Sequence, residues 1–483
     1  MKLETDDMPG VWTALPQRGE LAVGSQRELF PASLAHGNRL LAALLSGGDS
    51  RIAVDPITGT NKYFCPPAPA PEMTCFSSCT GSPIPQRGLE AAAHCYGEIA
   101  GALSSRQRTS RMEYYQHGIK DSLLRHYGAA GLAQVILRPS GTDALLAAAL
   151  FLAAERPGEP MTAIIPSASE TGTGVPLAAA CRRFDGPAAG SPLTGCASAV
   201  SEVQLRSSDG QPLSGEEVNR GFAAAVKNAR GRPVVFLTHS SKTGLVAPTE
   251  IPEGADVIVD ACQGRITSDC VAAYLRRGWP VAVTGSKFFG GPAFSGAVLL
   301  PRARLCPVRH SHQSLPPSGP HPAPDGAIGR LGMLLRWQAA IGIIEDFGQE
   351  ASRKMTDGLR YFGSAVTQGL ASIPALVPVG GLPPEGSGWA GLPSIFNFGV
   401  RDPSNHGRMQ TVAELRGLHR RLAQGGILLG QPVDFGRFGG LRIAIGAQDL
   451  MDVSTAGLER VFAMLEEAAS APPSRAGGRR PLH

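Results

Sequence analysis

The 483-residue sequence predicts an α/β fold, a mostly parallel sheet in a large domain followed by a smaller α+β domain. Three observations predict it. Short apolar runs recur at residues 134–140, 161–167, 233–240, 255–261, 280–286 and 296–301. They are continuous rather than alternating, which suits strands of a parallel sheet covered on both faces. Longer helical stretches lie between them, and that alternation is the pattern of an α/β domain.

In chain order, residues 1–85 read as an N-terminal arm. It opens on the acidic "MKLETDDMPG", with no apolar core of a signal peptide, and passes through a proline- and cysteine-rich stretch with few regular signals. Residues 86–309 hold the strands. "GTDALLAAALFLAAE" is a helix that starts as the first apolar run ends. "SGEEVNRGFAAAVKNAR" is another, opened by the capping box Ser214-x-x-Glu217. Residues 310–328 are a Pro/Ser/His linker. Residues 329–470 form the smaller domain: a long helical stretch from Gly329, the run "SIFNFGV", a helix opened by Thr411 with Glu414, the strand "LRIAIG" and a last helix from about Ser454. The tail, 471–483, is expected to be disordered.

Composition narrows the function classes. Apolar residues make up 43% and charged residues 18%, as in a globular enzyme. A net charge of +5 over this length, without a basic block, implies no nucleic-acid partner. "LLAALLSGG" is too short to span a membrane. The nine cysteines are scattered and none form a CxxC pair, so no metal site is expected. They read as reduced thiols of a cytoplasmic protein.

The strand ends carry the chemistry. Ligands of open α/β sheets collect at the carboxyl ends of the strands. "VILRPSGTDALL" ends a strand with Ser140-Gly141-Thr142 and begins a helix at once. Free N–H groups at a helix start, two hydroxyls and a glycine make a phosphate cradle, although Ser and Thr are also ordinary caps. "VFLTHSSKTGLVAP" ends a strand at His239. "VIVDACQG" ends one with Asp260, followed by Gln263. "VAVTGSKFFGG" delivers a single lysine, Lys287, into a glycine loop after Thr284 and Ser286. A desolvated lysine has a lowered pKa and becomes a nucleophile toward carbonyls.

Together these motifs resemble the fold-type I pyridoxal 5′-phosphate (PLP) enzymes, nearest the class V aminotransferase and cysteine desulfurase group. The resemblance runs from about Gly81 to Pro301 and extends loosely over the C-terminal domain. It implies a PLP-dependent transferase fold of type I and a Schiff base at Lys287, with Asp260 pairing with the ring nitrogen. Gln263 would lie at the phenolic oxygen, and Ser140, Gly141, Thr142, Thr284 and Ser286 at the phosphate. His239 would be a further cofactor contact. Arg442, in "GGLRIAIG", would grip the substrate carboxylate, its bidentate fork being suited to that. It also implies a homodimer with the cofactor near the subunit boundary.

Two departures bear on the reaction. The His or aromatic residue that stacks on the cofactor in this group has no counterpart in "PSASETGTG", which offers Ser169, Glu170 and Thr171. The last cysteine, Cys306, follows the lysine too closely for the desulfurase nucleophile. The reading is therefore an aminotransferase-like enzyme acting on an α-amino acid, with the arm pointing to a specialised, natural-product substrate. The alternatives are a PLP-dependent lyase, a β- or γ-replacement or carbon–carbon bond-forming enzyme working through a quinonoid, and a non-catalytic binding protein that keeps the fold.

Overall fold

A computed structural model describes residues 37–49, 51–183, 189–193, 198–305, 326–345, 349–380, 389–450 and 455–470. The chain opens with α1 (Gly37–Leu44) and β1 (Thr74–Phe76), then α2 (Gln86–Ala100) and α3 (Ser105–His126). The large sheet and its helices follow as β2 (Ala133–Arg138), α4 (Gly141–Glu155), β3 (Met161–Pro166), α5 (Val175–Ala179), β4 (Ser198–Val203), α6 (Gly215–Lys227), β5 (Arg232–Thr238), β6 (Asp256–Ala261), α7 (Ser268–Arg276), β7 (Val281–Thr284) and β8 (Gly296–Pro301). The remainder comprises α8 (Gly326–Ile344), α9 (Gln349–Ser372), β9 (Leu376–Val379), β10 (Ile395–Asp402), β11 (Arg408–Met409), α10 (Val412–Gln424), β12 (Ile427–Asp434), β13 (Gly439–Ala444), α11 (Ala447–Leu450) and α12 (Thr455–Ser470).

The seven-stranded sheet runs β2-β8-β7-β6-β5-β3-β4. Only β8 is antiparallel to its neighbours, β2 and β7; the other pairs are parallel. The six parallel strands therefore end on one edge. Every residue of β3, β7 and β8 is buried, which is why these runs are apolar without alternation. Helix α4 buries every residue from Asp143 to Ala153. It is apolar on all sides because it lies under the sheet, as an all-round apolar helix must. Truncating one of its leucines to alanine would cost about 2–5 kcal/mol.

The second sheet runs β1-β12-β13-β10-β11, with β9 also on β10. Its β1 comes from the N-terminal arm and pairs in parallel with β12, Cys75 opposite Leu428. Part of the arm is thus a strand of the second sheet. Strand β4 was not anticipated: its burial is intermediate or exposed except at Val203, as befits an edge strand rich in Ser and Glu.

Some expectations need correction or fall outside what is described. Cys181 is disulfide-bonded, which overturns the reading of all cysteines as reduced thiols; Cys65, Cys75, Cys79, Cys95, Cys262 and Cys270 are free. The long helix placed from Gly329 begins at Gly326. The tail 471–483, nearly all of the linker 310–328, and Cys306 lie outside the described residues. No helix among the described residues is long and apolar enough to cross a membrane.

Candidate active site

Strands β5, β6 and β7 bring His239, Asp260 and Lys287 to one edge of the sheet. The backbone fixes their relation: His239 N donates to the Asp260 carbonyl at 2.8 Å, and Asp260 stands opposite Ala282 of β7. The Asp260 carboxylate accepts from Cys262 N at 3.0 Å through Oδ1. Burial raises the Asp260 pKa, while the Cys262 hydrogen bonds and the Lys287 charge oppose the rise. This environment favours a positive partner for the carboxylate.

Lys287 reaches the arm. Its Nζ donates to the carbonyls of Thr80 at 2.8 Å and Cys79 at 3.4 Å. Burial brings its pKa down to about 8, helped by the positive charges of Arg442 and Arg51. An appreciable fraction of the amine is then neutral near pH 8. Gln263 is buried too, its Nε2 donating to the same Cys79 carbonyl at 3.1 Å.

The helix start closes the floor. Ser140 caps α4, its hydroxyl accepting from Asp143 N at 3.2 Å. The N–H groups of Gly141 and Thr142 lie in the first turn, where a helix supplies no acceptor of its own. A Cβ on Gly141 would meet Cys262 Sγ at 2.7 Å and Thr284 Cγ2 at 2.9 Å, so only glycine lets α4 approach the β6 and β7 loops this closely. Thr284 Oγ1 donates to the Cys262 carbonyl at 2.7 Å, which ties these two loops together. Ser286 stands beside Lys287, partly buried.

His239 and Arg442 are likewise held by protein partners. His239 shares a 3.0 Å hydrogen bond with the Tyr274 hydroxyl through Nδ1, and burial lowers its pKa to about 4, so the ring is neutral. Arg442 lies inside the second sheet, between β12 and β10, and is 3% exposed. Its guanidinium donates to the carbonyls of Lys242 (2.7 Å) and Gln431 (2.7 and 3.1 Å) and to Thr80 Oγ1 (3.0 Å). These partners are neutral oxygens, leaving its charge available to an anion.

The loop after β3, where a stacking residue was sought, is committed elsewhere. Glu170 is buried in an ion pair with Arg206 at 2.6 Å and accepts from the hydroxyls of Ser241 and Thr243. Lys242 Nζ clasps the same loop through the carbonyls of Ala168 and Thr171, both at 3.0 Å.

Sequence reasoning missed four contributors. The carbonyls of Cys79 and Thr80 are backbone groups and carry no residue signature. Lys242, inside "THSSKTGLVAP", was not singled out. Arg265 is fully enclosed by Ser78 Oγ, Ser394 Oγ, Gln263 and the Ile445 carbonyl. A charged residue in the otherwise uncharged "ACQGRIT" was the available signal.

No protein-family model matches the chain, and no curated protein matches it in sequence. Solved structures do match in fold. The cysteine desulfurase CsdA of Escherichia coli is 14% identical, with a TM-score of 0.52 over 82% of this chain and 94% of that one. A C-DES mutant with glycine covalently linked to its PLP cofactor is 14% identical, with a TM-score of 0.53 over 82% and 96%. The 4-hydroxyphenylacetaldehyde synthase of Rhodiola rosea is 13% identical, with a TM-score of 0.52 over 86% of each chain. The chain therefore has the fold-type I architecture of PLP-dependent enzymes, with the large sheet expected from its sequence.

Proposed function

We propose that the protein is a PLP-dependent enzyme that acts on an α-amino acid, aminotransferase-like, and works as a homodimer. The observation that carries the reading is the convergence of Lys287, Asp260 and the α4 start at one sheet edge. The amine has a lowered pKa, the carboxylate is buried, and the helix start is one that a single Cβ at Gly141 would push away.

The residues present fit the group. Lys287 would supply an amine for the aldehyde, Asp260 an acceptor for the ring nitrogen, and the N–H groups of Gly141 and Thr142, with the Ser286 hydroxyl, donors for the phosphate, while the Ser140 and Thr284 hydroxyls, which donate to Asp143 Oδ2 and the Cys262 carbonyl, hold the cradle in shape. Gln263 lies beside the lysine. When bound, PLP supplies the aldehyde and a ring that takes up electrons from the substrate α-carbon. Lys287 Nζ would hold and return the α-proton. The Thr80 and Cys79 carbonyls keep that nitrogen aimed while it waits. Arg442 would meet the α-carboxylate through its charge and its one uncommitted Nη1 hydrogen, the other four N–H groups holding the guanidinium in place on Gln431, Thr80 and Lys242.

The C-DES mutant and the other solved structures support the cofactor by likeness of fold; the amino-group transfer rests on this site alone. The dimer accords with the exposed Leu103 and Tyr114 beside and on α3, 92% and 68% exposed. The test is to add PLP to the purified protein, then single amino acids, and to follow the visible band together with product mass. Transfer predicts a keto acid and an equal amount of aminated cofactor. An olefinic, replaced or decarboxylated product would move the reading to a lyase or replacement enzyme, and a colourless protein would move it to a non-catalytic fold. Light scattering showing a fully active monomer would remove the dimer.

A further inference from the structure

A cavity built mainly by the N-terminal arm lies near Lys287. It opens to solvent and is walled by Leu45, Ile52, Val54, Tyr63, Pro66 and Ile84. Its floor adjoins the site. Gly81 follows Thr80, whose carbonyl holds Lys287 Nζ, and Pro292 and Ala293 belong to the loop that carries Lys287. The space faces Tyr63 across Gly81: a Cβ on Gly81 would lie 3.4 Å from Tyr63 Cδ2, in ordinary contact.

The walls are pre-formed. Asn61 Oδ1 accepts from Tyr63 N at 2.9 Å and Cys65 N at 3.1 Å, and Phe64 takes a left-handed turn at φ 62° between them. They are also uncharged. Burial raises the Tyr63 pKa to about 12 and moves the Cys65 thiol further up. Arg51, whose charge reaches Lys287, is not a wall residue. It is paired with Asp49 at 2.9 Å and lies over the Phe294 ring.

An apolar, neutral, pre-formed space next to a reactive amine is the setting in which a small-molecule site reads a side chain. We propose that this cavity is the side-chain subsite for the amino-acid substrate, and that the substrate has a bulky apolar side chain, branched or aromatic, without charge. The proposal rests on the reading that Lys287 holds PLP. It assigns the arm a role in specificity: β1 anchors the arm to the second sheet, and residues 52–67 shape the space. A charged side chain would lose hydration among these walls, where the neighbouring charges are already engaged, Arg51 with Asp49 and Lys62 over the Tyr63 ring, whereas each methylene of an apolar one gains from leaving water.

The test is an affinity ranking read from the cofactor's visible band on titration with L-leucine, L-phenylalanine, L-alanine and L-glutamate. Leucine or phenylalanine is expected to bind at least about 10-fold more tightly than alanine or glutamate, the discrimination that methylenes in an apolar pocket supply. Gly81→Val narrows the space and Val54→Phe fills its mouth. Each is expected to remove most of the preference while changing alanine by no more than about twofold. Melting temperatures verify that the variants fold, and if neither folds the wild-type ranking decides. Glutamate or alanine binding as tightly as leucine, or variants that weaken all four ligands equally, would overturn the subsite while leaving the cofactor colour, and with it the PLP reading, in place. A wild-type protein that takes up no PLP would instead defeat the reading on which the subsite rests.

Discussion

At the scale of single residues, Asp260 separates cofactor chemistry from a merely structural role. Asn keeps the side-chain oxygen that accepts from Cys262 N, so Asp260→Asn preserves the turn after β6. What it loses is the carboxylate charge that the proposed function sets against the ring nitrogen. Turnover is expected to fall by about 100-fold or more, because a charge placed in advance at a buried site carries several kcal/mol of transition-state stabilisation. Melting temperature should hardly move. A variant with normal turnover and a lowered melting temperature would make Asp260 a helix-cap residue. Lys287 gives a second prediction. Its ammonium deprotonates at about 8 rather than 10.5. Only the neutral amine attacks an aldehyde, so capture of PLP by the apoprotein should speed up as pH rises through about 8 and level off above it. Stopped-flow absorbance at several pH values checks this. A rate still climbing past pH 10 would mean an unperturbed lysine.

At the scale of elements, the start of α4 is the sensitive point. Gly141→Ala puts a methyl 2.7 Å from Cys262 Sγ and 2.9 Å from Thr284 Cγ2, so the helix start must back away from the β7 loop. PLP affinity is expected to drop by roughly 10-fold, since small displacements of an aimed group are costly. Equilibrium dialysis measures it, and an unchanged affinity would place the phosphate elsewhere. The strands of the large sheet that are buried on both faces were legible because burial demands uninterrupted apolar residues, and the residues that end them were legible with them. Strand β4 was not, because an edge strand half in water reads "SAVSEV" like a loop. Strand β12 was hidden by Gly430, Gln431 and Pro432 at its bulge. Three-residue β1 is too short for any period. In the site, Lys287 and Asp260 announce themselves as charges at the ends of apolar runs. The carbonyls of Cys79 and Thr80 cannot, since any residue carries one.

At the scale of the whole molecule, one arginine joins the parts. Arg265, after β6, donates to Ser78 of the arm, to Gln263 of its own loop, and to Ser394 and Ile445 at the edges of β10 and β13. Arg265→Met would leave these buried acceptors without a donor. We expect a loss of about 3 kcal/mol or more in urea unfolding, with the two sheets melting less cooperatively. An unchanged unfolding midpoint would show that packing alone holds them together. The same convergence of arm and sheets puts two lysines with pKa lowered to about 8 near the site, Lys287 and Lys242. Both follow strands that flank β6, but Lys242 is held by the loop after β3, and Lys287 is the lysine whose charge acts on Asp260. Borohydride reduction of the PLP-loaded protein followed by peptide mass spectrometry distinguishes them. The account predicts a reduced pyridoxyl phosphate on the peptide containing Lys287, absent from Lys287→Ala; a label on Lys242, or on no lysine at all, would contradict it.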